Sequence, residues 1–370
     1  MTTTDPRAAG DPGGARPKAT AEPGHGARED TAWLDLARIV AIAAVVLVHV
    51  VAPVVTGRWA VEGTAGWWTA NLLDSALRWC VPVFVLISGA LLLDPSRVEQ
   101  PRRFYTRRLA RIGVPLIVWT LVYLAFRRWW LGQDLSVGDA TRNVLAGTPF
   151  LQLYFLYVLV GLYAIAPFLK VVIRHTTRRM QAGLAGVLIG FGMIDQIAGT
   201  LAGAGSATAA TRFLPFAGYC VAGWVLRDIA LDPRRVRLAA LVFGASTVVT
   251  AALVGVVTVP TGWGAPGRYL YGFLSPTVVA MSLAAFVLFR AIAPVAARHR
   301  ERFGAMANVT FGIFLVHPLV LYPLQAHWRL PDAPATLLAT TAAHLTITIV
   351  ISAALTWVLG RLPYARAAVG

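Results

Sequence analysis

From Trp33 onward the chain alternates long apolar runs with short polar connections. The runs cover 33–53, 72–93, 109–126, 151–172, 180–203, 213–231, 238–259, 269–293, 304–325 and 336–360. Each approaches or exceeds the roughly 20 residues that a helix needs to cross a hydrocarbon core of about 30 Å. The pattern predicts an all-α polytopic membrane protein with about ten transmembrane helices. The second run is the least regular. Asn71, Asp74 and Arg78 fall in its first turns, which places its start along the membrane interface. Residues 1–32 hold Gly, Pro, Ala and Thr with mixed charges and no apolar run. Nothing in them offsets the entropy of ordering, so they read as a disordered cytoplasmic tail and not as a signal peptide. The membrane domain is expected over 33–360, with a short cytoplasmic tail over 361–370.

Composition sharpens this picture. The chain is 57% hydrophobic and 14% charged, against about 25% charged residues in a soluble domain. A soluble enzyme, a disordered protein and a collagen-like fibre are excluded. The formal charge of +16 suggests nucleic acid only in a soluble chain, and no aromatic-basic module is present, so no nucleic-acid partner is expected. With bases near the run ends counted in the adjoining connections, 24 of the 33 fall on one side of the ten runs and eight on the other, and Arg38 alone is assigned to the membrane interior. That alternation places both termini in the cytoplasm. Trp59, Trp67, Trp68, Trp129, Trp130, Trp263 and Trp328 lie in or beside the outer connections, as an interfacial belt would. Cys80 and Cys220 sit in apolar surroundings and read as membrane-embedded thiols. No His/Cys/carboxylate group has ligand spacing, so no metal is expected.

Ionisable residues inside the runs carry the candidate chemistry, because each is costly there. Asp35, Arg38 and His49 share the first run. Arg38 and His49 are 11 residues apart, which is three helical turns plus about 20°, so they project from nearly one face about 16 Å apart. Asp35 precedes Arg38 by three and can pair with it. Alone, Arg38 reads equally as a snorkelling residue, and His49 as a helix–helix hydrogen bond. Together they form a stripe from the membrane surface to its middle. His317 in Phe314-Leu315-Val316-His317-Pro318 reaches a similar depth, beside a proline that frees the Phe314 carbonyl. His344 reads as packing. Asp195 and Gln196 either serve an acceptor cavity or pair with neighbours. Ser88 and Gly89 end the second run, where small residues allow close helix approach. Arg108 and Arg111 are one turn apart at an expected helix start, in a connection holding six arginines. Guanidinium forks with helix-start amides suit phosphate groups; the alternative is a topology signal alone.

Taken together these segments resemble the acyltransferase-3 family of bacterial integral-membrane O-acyltransferases. The resemblance is carried by Leu34-Asp35-Leu36-Ala37-Arg38 followed by His49, by Phe84-Val85-Leu86-Ile87-Ser88-Gly89, by Arg108 and Arg111 ahead of Pro115, by Leu153 through Tyr163, and by Phe314 through Pro318. The segment 153–163 is similar to the subgroup that acetylates surface polysaccharides. The resemblance implies transfer of an acyl group, usually acetyl from acetyl-CoA, to a hydroxyl of a cell-envelope sugar, in the cytoplasmic membrane of a bacterium. It implies His49 as base with Arg38 as its partner, and Arg108 and Arg111 on the CoA phosphates. Asp35, Ser88 and His317 complete the expected substrate-binding set. The donor is a substrate, and no bound cofactor is implied. The expected partners are the bilayer, acyl-CoA, a carbohydrate acceptor and other envelope-biosynthesis proteins. Two other readings fit the same spans: a polysaccharide exporter, or a non-catalytic member of an envelope synthesis complex.

Overall fold

The structure, a computed structural model, describes residues 1–2, 31–97, 99–205 and 207–369, so the expected tail lies almost wholly outside the described residues. Those residues form helices and no strand. The first span is α1 (Ala32–Val55), followed by α2 (Ala65–Leu77) and α3 (Cys80–Leu92), which together make the second span. Then α4 (Pro101–Arg108) runs through a π-helical turn (Leu109–Gly113) into α5 (Val114–Trp129). A short surface helix α6 (Val137–Leu145) follows, its start fixed by a reciprocal cap between Ser136 and Asp139. Spans α7 (Tyr154–Arg174) and α8 (Arg178–Thr200) come next, then α9 (Ala217–Arg227) and α10 (Pro233–Thr258). The rest comprises α11 (Ala265–Leu270), α12 (Pro276–Ala291), α13 (Ala293–Arg298), α14 (Arg300–His327), α15 (Pro334–Arg361) and α16 (Arg366–Val369).

Among the described residues, eight helical stretches are long and apolar enough to cross a membrane. The runs at 213–231 and 269–293 are shorter as helices than as apolar patterns. The first becomes a 3₁₀ turn plus the 11 residues of α9, and the second the 16 residues of α12. Pro215 and Pro276 explain the late starts, since each sits in the first turn of its helical segment, where a missing N–H is harmless.

The second span departs from expectation. Its polar start is interior: Asn71, Asp74 and Ser75 are buried. The helix loosens at Arg78 and Trp79. Pro82 lies four residues on and cannot donate to the Arg78 carbonyl, which accounts for the break. Asp74 and Arg78 form an ion pair within the bundle, where a like-sized apolar pair would cost less desolvation.

Helix α1 is the hub. It packs against α2, α3, α12, α13, α14 and α15, and most of its residues are buried. Lipid tails are as apolar as leucine, so such packing rests on close fit more than on exclusion of water. The tightest crossing joins α3 and α9. A Cβ at Gly89 would collide with the Cys220 backbone, and one at Gly223 with the Leu86 backbone. Gly89 is therefore a packing residue, and it fixes the neighbouring Ser88. The C-terminal residues fold back on the bundle, where the Trp119 indole donates to the Ala368 carbonyl at 2.8 Å.

Candidate active site

One end of the bundle carries a cavity of about 480 Å³. The starts of α1 and α14, the end of α3, the α4–π turn and α7 enclose it. Its polar lining includes Asp35, Arg38, Ser88, Arg97, Arg108, Arg111 and Asn308. Arg38 donates to Asp35 at 2.7 Å, and both side chains stay partly exposed. Ser88 donates to its own helix, to the Phe84 carbonyl at 2.8 Å. Arg108 lies over the rings of Phe104 and Tyr163, at 5.3 and 5.4 Å, and its Nε has no hydrogen-bond partner. The cavity is thus strongly basic, with Asp35 as the acidic member of its lining.

Arg108 and Arg111 do not stand at a helix start. They flank the entry to the π-helical turn inside one continuous stretch from Pro101 to Trp129. Their backbone amides belong to the helix, so only the guanidinium groups are available to an anion. Pro115 removes the donor for the Arg111 carbonyl, consistent with wider winding at that point.

His49 and His317 sit deeper, and neither lines the cavity. Their rings meet edge to face with centroids 5.2 Å apart. The His49 Nδ1 lies 2.6 Å from the Val45 carbonyl. His317 Nδ1 lies 2.9 Å from the Phe314 carbonyl and 3.2 Å from that of Ile313. A carbonyl only accepts, so both Nδ1 atoms carry the proton and both Nε2 atoms keep a lone pair. The Nε2 of His317 is buried and unpartnered. Between cavity and histidines stand Phe84, Phe155 and Phe314. Phe155 contacts Phe84 at 6.0 Å and Phe314 at 5.7 Å, and the Phe314 ring is 6.3 Å from His317. Arg38 stays at the cavity, about 16 Å below His49 along α1, so it does not touch the imidazole.

Prolines shape this core. Pro53 cannot donate to the carbonyl of His49, four residues back. Gln325 of α14 supplies donors instead, to His49 at 3.2 Å and Val50 at 3.1 Å. Pro318 frees the Phe314 carbonyl, which His317 itself occupies. Tyr123 donates to the Leu315 carbonyl at 2.6 Å and secures the same stretch of α14. Gln325, Tyr123 and Asn308 were not singled out, and Tyr163 and the three phenylalanines were quoted only as parts of the segments that carry the resemblance, without a role. Gln325 had a signal of its own: a lone amide in an apolar run, with Pro53 leaving an acceptor open elsewhere.

Other expectations resolve simply. His344 is buried against Trp328, ring centroids 5.0 Å apart. Gln196 pairs with neighbours, donating to Tyr269 at 3.2 Å and accepting from the Leu274 amide at 2.8 Å, while Asp195 is exposed. Cys80 and Cys220 are buried free thiols. Among the described residues no three His, Cys, Asp or Glu side chains gather as a metal site. Beside the basic end, Asp94 is buried and firmly held. Burial pushes its carboxyl up, but hydrogen bonds from the Ser96 hydroxyl and amide and the Arg227 guanidinium outweigh this and hold it below the usual 3.8.

The chain is thus a polytopic helical bundle with a basic cavity at one end and a pair of histidine rings deeper within it. The family profile described as an acyltransferase domain matches residues 31–361, and the chain belongs to that acyltransferase-3 family. No curated protein and no solved structure matches the chain.

Proposed function

We propose that this membrane acyltransferase moves an acyl group, acetyl in the simplest case, from acyl-CoA to a hydroxyl of a cell-envelope sugar. The cavity faces the cytoplasm of a bacterium and both termini lie on that side. One observation carries the reading: a single helix, α1, joins a cavity lined by four arginines, Arg38, Arg97, Arg108 and Arg111, to a pair of imidazoles 5.2 Å apart. The arginines suit the CoA phosphates. The thioester reaches His49 or His317 once the phenylalanine wall parts.

The acceptor hydroxyl gives its proton to an imidazole Nε2 as its oxygen bonds to the thioester carbon. The carbon–sulfur bond then breaks, and the imidazolium returns the proton to the thiolate. No net proton is taken up or released. His49 is the leading base, since it is the less enclosed of the two; His317 orients or shares the proton. Arg38 acts on the donor, at a distance from the bond-making.

The test is transfer from radiolabelled acetyl-CoA by the purified protein in nanodiscs to envelope glycans stripped of their O-acetyl groups. Wild type should give alkali-labile labelled glycan, and the His49→Gln protein should not. Equal label from both proteins would remove His49 from the chemistry, and no label from wild type would remove the acyltransfer reading.

A further inference from the structure

A second polar cluster lies on the far side of the phenylalanine wall. Arg38 and Ser88 both line the basic cavity, on spans that run in opposite directions. His49 is 11 residues beyond Arg38, and Arg78 is ten residues before Ser88. Both therefore stand about 15–16 Å above the cavity lining, on helices that pack together. Tyr154, next in sequence to the wall residue Phe155, belongs to the same level. The Arg78 charge acts on both the His49 ring and the Tyr154 hydroxyl.

This cluster is held rigidly and is incompletely bonded. Arg78 pairs with Asp74 and lies 4.0 Å above the ring of Tyr271. The Tyr271 hydroxyl donates to Asn71 Oδ1 at 2.5 Å, and Asn71 donates to the Ala251 carbonyl at 2.9 Å. Three polar atoms remain buried and without a hydrogen-bond partner: Asp74 Oδ1, Arg78 Nε and Tyr154 Oη. The Asp74 side chain is 1% exposed, and Arg78, at 15%, is its more accessible partner. Buried polar atoms are nearly always paired, so three open ones near a base call for a partner.

We infer that Asp74, Arg78 and Tyr154 form the subsite for the hydroxyl-bearing acceptor, a carbohydrate that presents one hydroxyl to His49. The chemistry matches atom for atom. A sugar hydroxyl donates once and accepts twice. The hydroxyl presented to His49 gives its hydrogen to the imidazole, so the carboxylate oxygen takes the hydrogen of a neighbouring sugar hydroxyl, and the guanidinium N–H and the phenol O–H meet sugar oxygens. Placement on the far side of the wall from the CoA cavity keeps the acceptor and donor approaches separate. The inference rests on the acyltransfer reading for its substrate class. The buried ion pair then has a function that offsets its desolvation cost.

The test uses the full-length protein in nanodiscs with a panel of methyl glycosides as probe, binding read by saturation-transfer NMR. Wild type should bind at least one glycoside. Tyr154→Phe, which removes a single oxygen, should weaken it about tenfold. Asp74→Asn should do the same, while acetyl-CoA affinity stays within about twofold for both. Unchanged glycoside binding in Tyr154→Phe and Asp74→Asn overturns the subsite. So does parallel loss of glycoside and acetyl-CoA binding, which marks a structural cluster, and so does a wild type that binds no glycoside. A wild type that binds glycoside through these residues yet transfers no label from acetyl-CoA leaves the subsite standing and removes the acyltransfer reading instead.

Discussion

The two ends of α1 solve opposite electrostatic problems. At its start, Arg38 stands with Arg108 and Arg111 around a cavity of about 480 Å³, wet enough that charge is tolerated without a full set of partners. Farther along, at His49 and His317, the surroundings are more enclosed, with His317 buried and His49 half-buried. There the imidazoles give their Nδ1 protons to backbone carbonyls, and the nearby Arg78 is paired with Asp74. The lower region can bind a multiply charged group by attraction alone. The upper region can only discriminate by fitting hydrogen bonds, because any unmatched charge there is costly. On the proposed function, affinity for the donor and chemistry on the acceptor fall in different dielectric environments.

Substitutions should separate the two regions. The largest effect is expected at His49. His49→Gln should lower transfer by about 10²–10⁴-fold, the usual cost of a lost general base, while acetyl-CoA affinity is retained. If donor affinity falls in step with transfer, the division between the regions fails. Next comes the double replacement of Arg108 and Arg111 by Ala. It should weaken acetyl-CoA binding by about 10–100-fold, as expected for charge-assisted contacts worth about 1.5–3 kcal/mol. Wild-type binding should itself weaken as salt rises, because the cavity is open to solvent. An affinity indifferent to both changes assigns the arginines to topology.

Smaller effects sharpen the comparison. Gln325→Leu leaves the His49 carbonyl without a donor, at about 1–3 kcal/mol. Thermal unfolding should show that loss, and transfer should fall more than donor binding does. Asp94→Asn should matter least and only through pH. Its folded carboxyl titrates below the usual 3.8, so its contribution is present above that value and lost as pH falls through the lower folded one. The variant should therefore be less stable than wild type near neutrality and converge with it in acid. A constant gap from neutrality down to about pH 2 would show that Asp94 acts without its charge.

Much of the fold was legible because membrane helices announce themselves by length. The runs at 33–53 and 304–325 became α1 and α14 nearly as written. The burial of the second span's polar start was not legible, because Asn71, Asp74 and Arg78 look like surface residues until Tyr271, 200 positions from Asn71 along the chain, is brought beside them. The π-helical turn was invisible for a similar reason. An i,i+3 arginine pair has the same spacing in any helix, and its winding depends on Pro115 and on packing against α7. Within the site, Asp35, Arg38 and His49 share a face by helical phase, and Ser88, Arg108, Arg111 and His317 were named from their own segments, but that Ser88, Arg108 and Arg111 line one cavity with Arg38 and that His317 meets His49 came only with the structure. Gln325, Tyr163 and the phenylalanine wall come from other spans, and no local pattern specifies which spans will meet.

The spacing along α1 has a consequence for how this segment can change. Between Arg38 and His49 the residues are apolar and interchangeable in kind, so substitution among them should be tolerated. Their number should not. One inserted residue would turn His49 by about 100° and lift it by about 1.5 Å, taking it away from His317 and from the Gln325 clasp. Four residues would nearly restore its direction but raise it by about 6 Å, beyond the level where Arg78 stands. Segment length, more than residue identity, is the heritable quantity here, and a family alignment should show it as a stretch free of gaps between two variable neighbours.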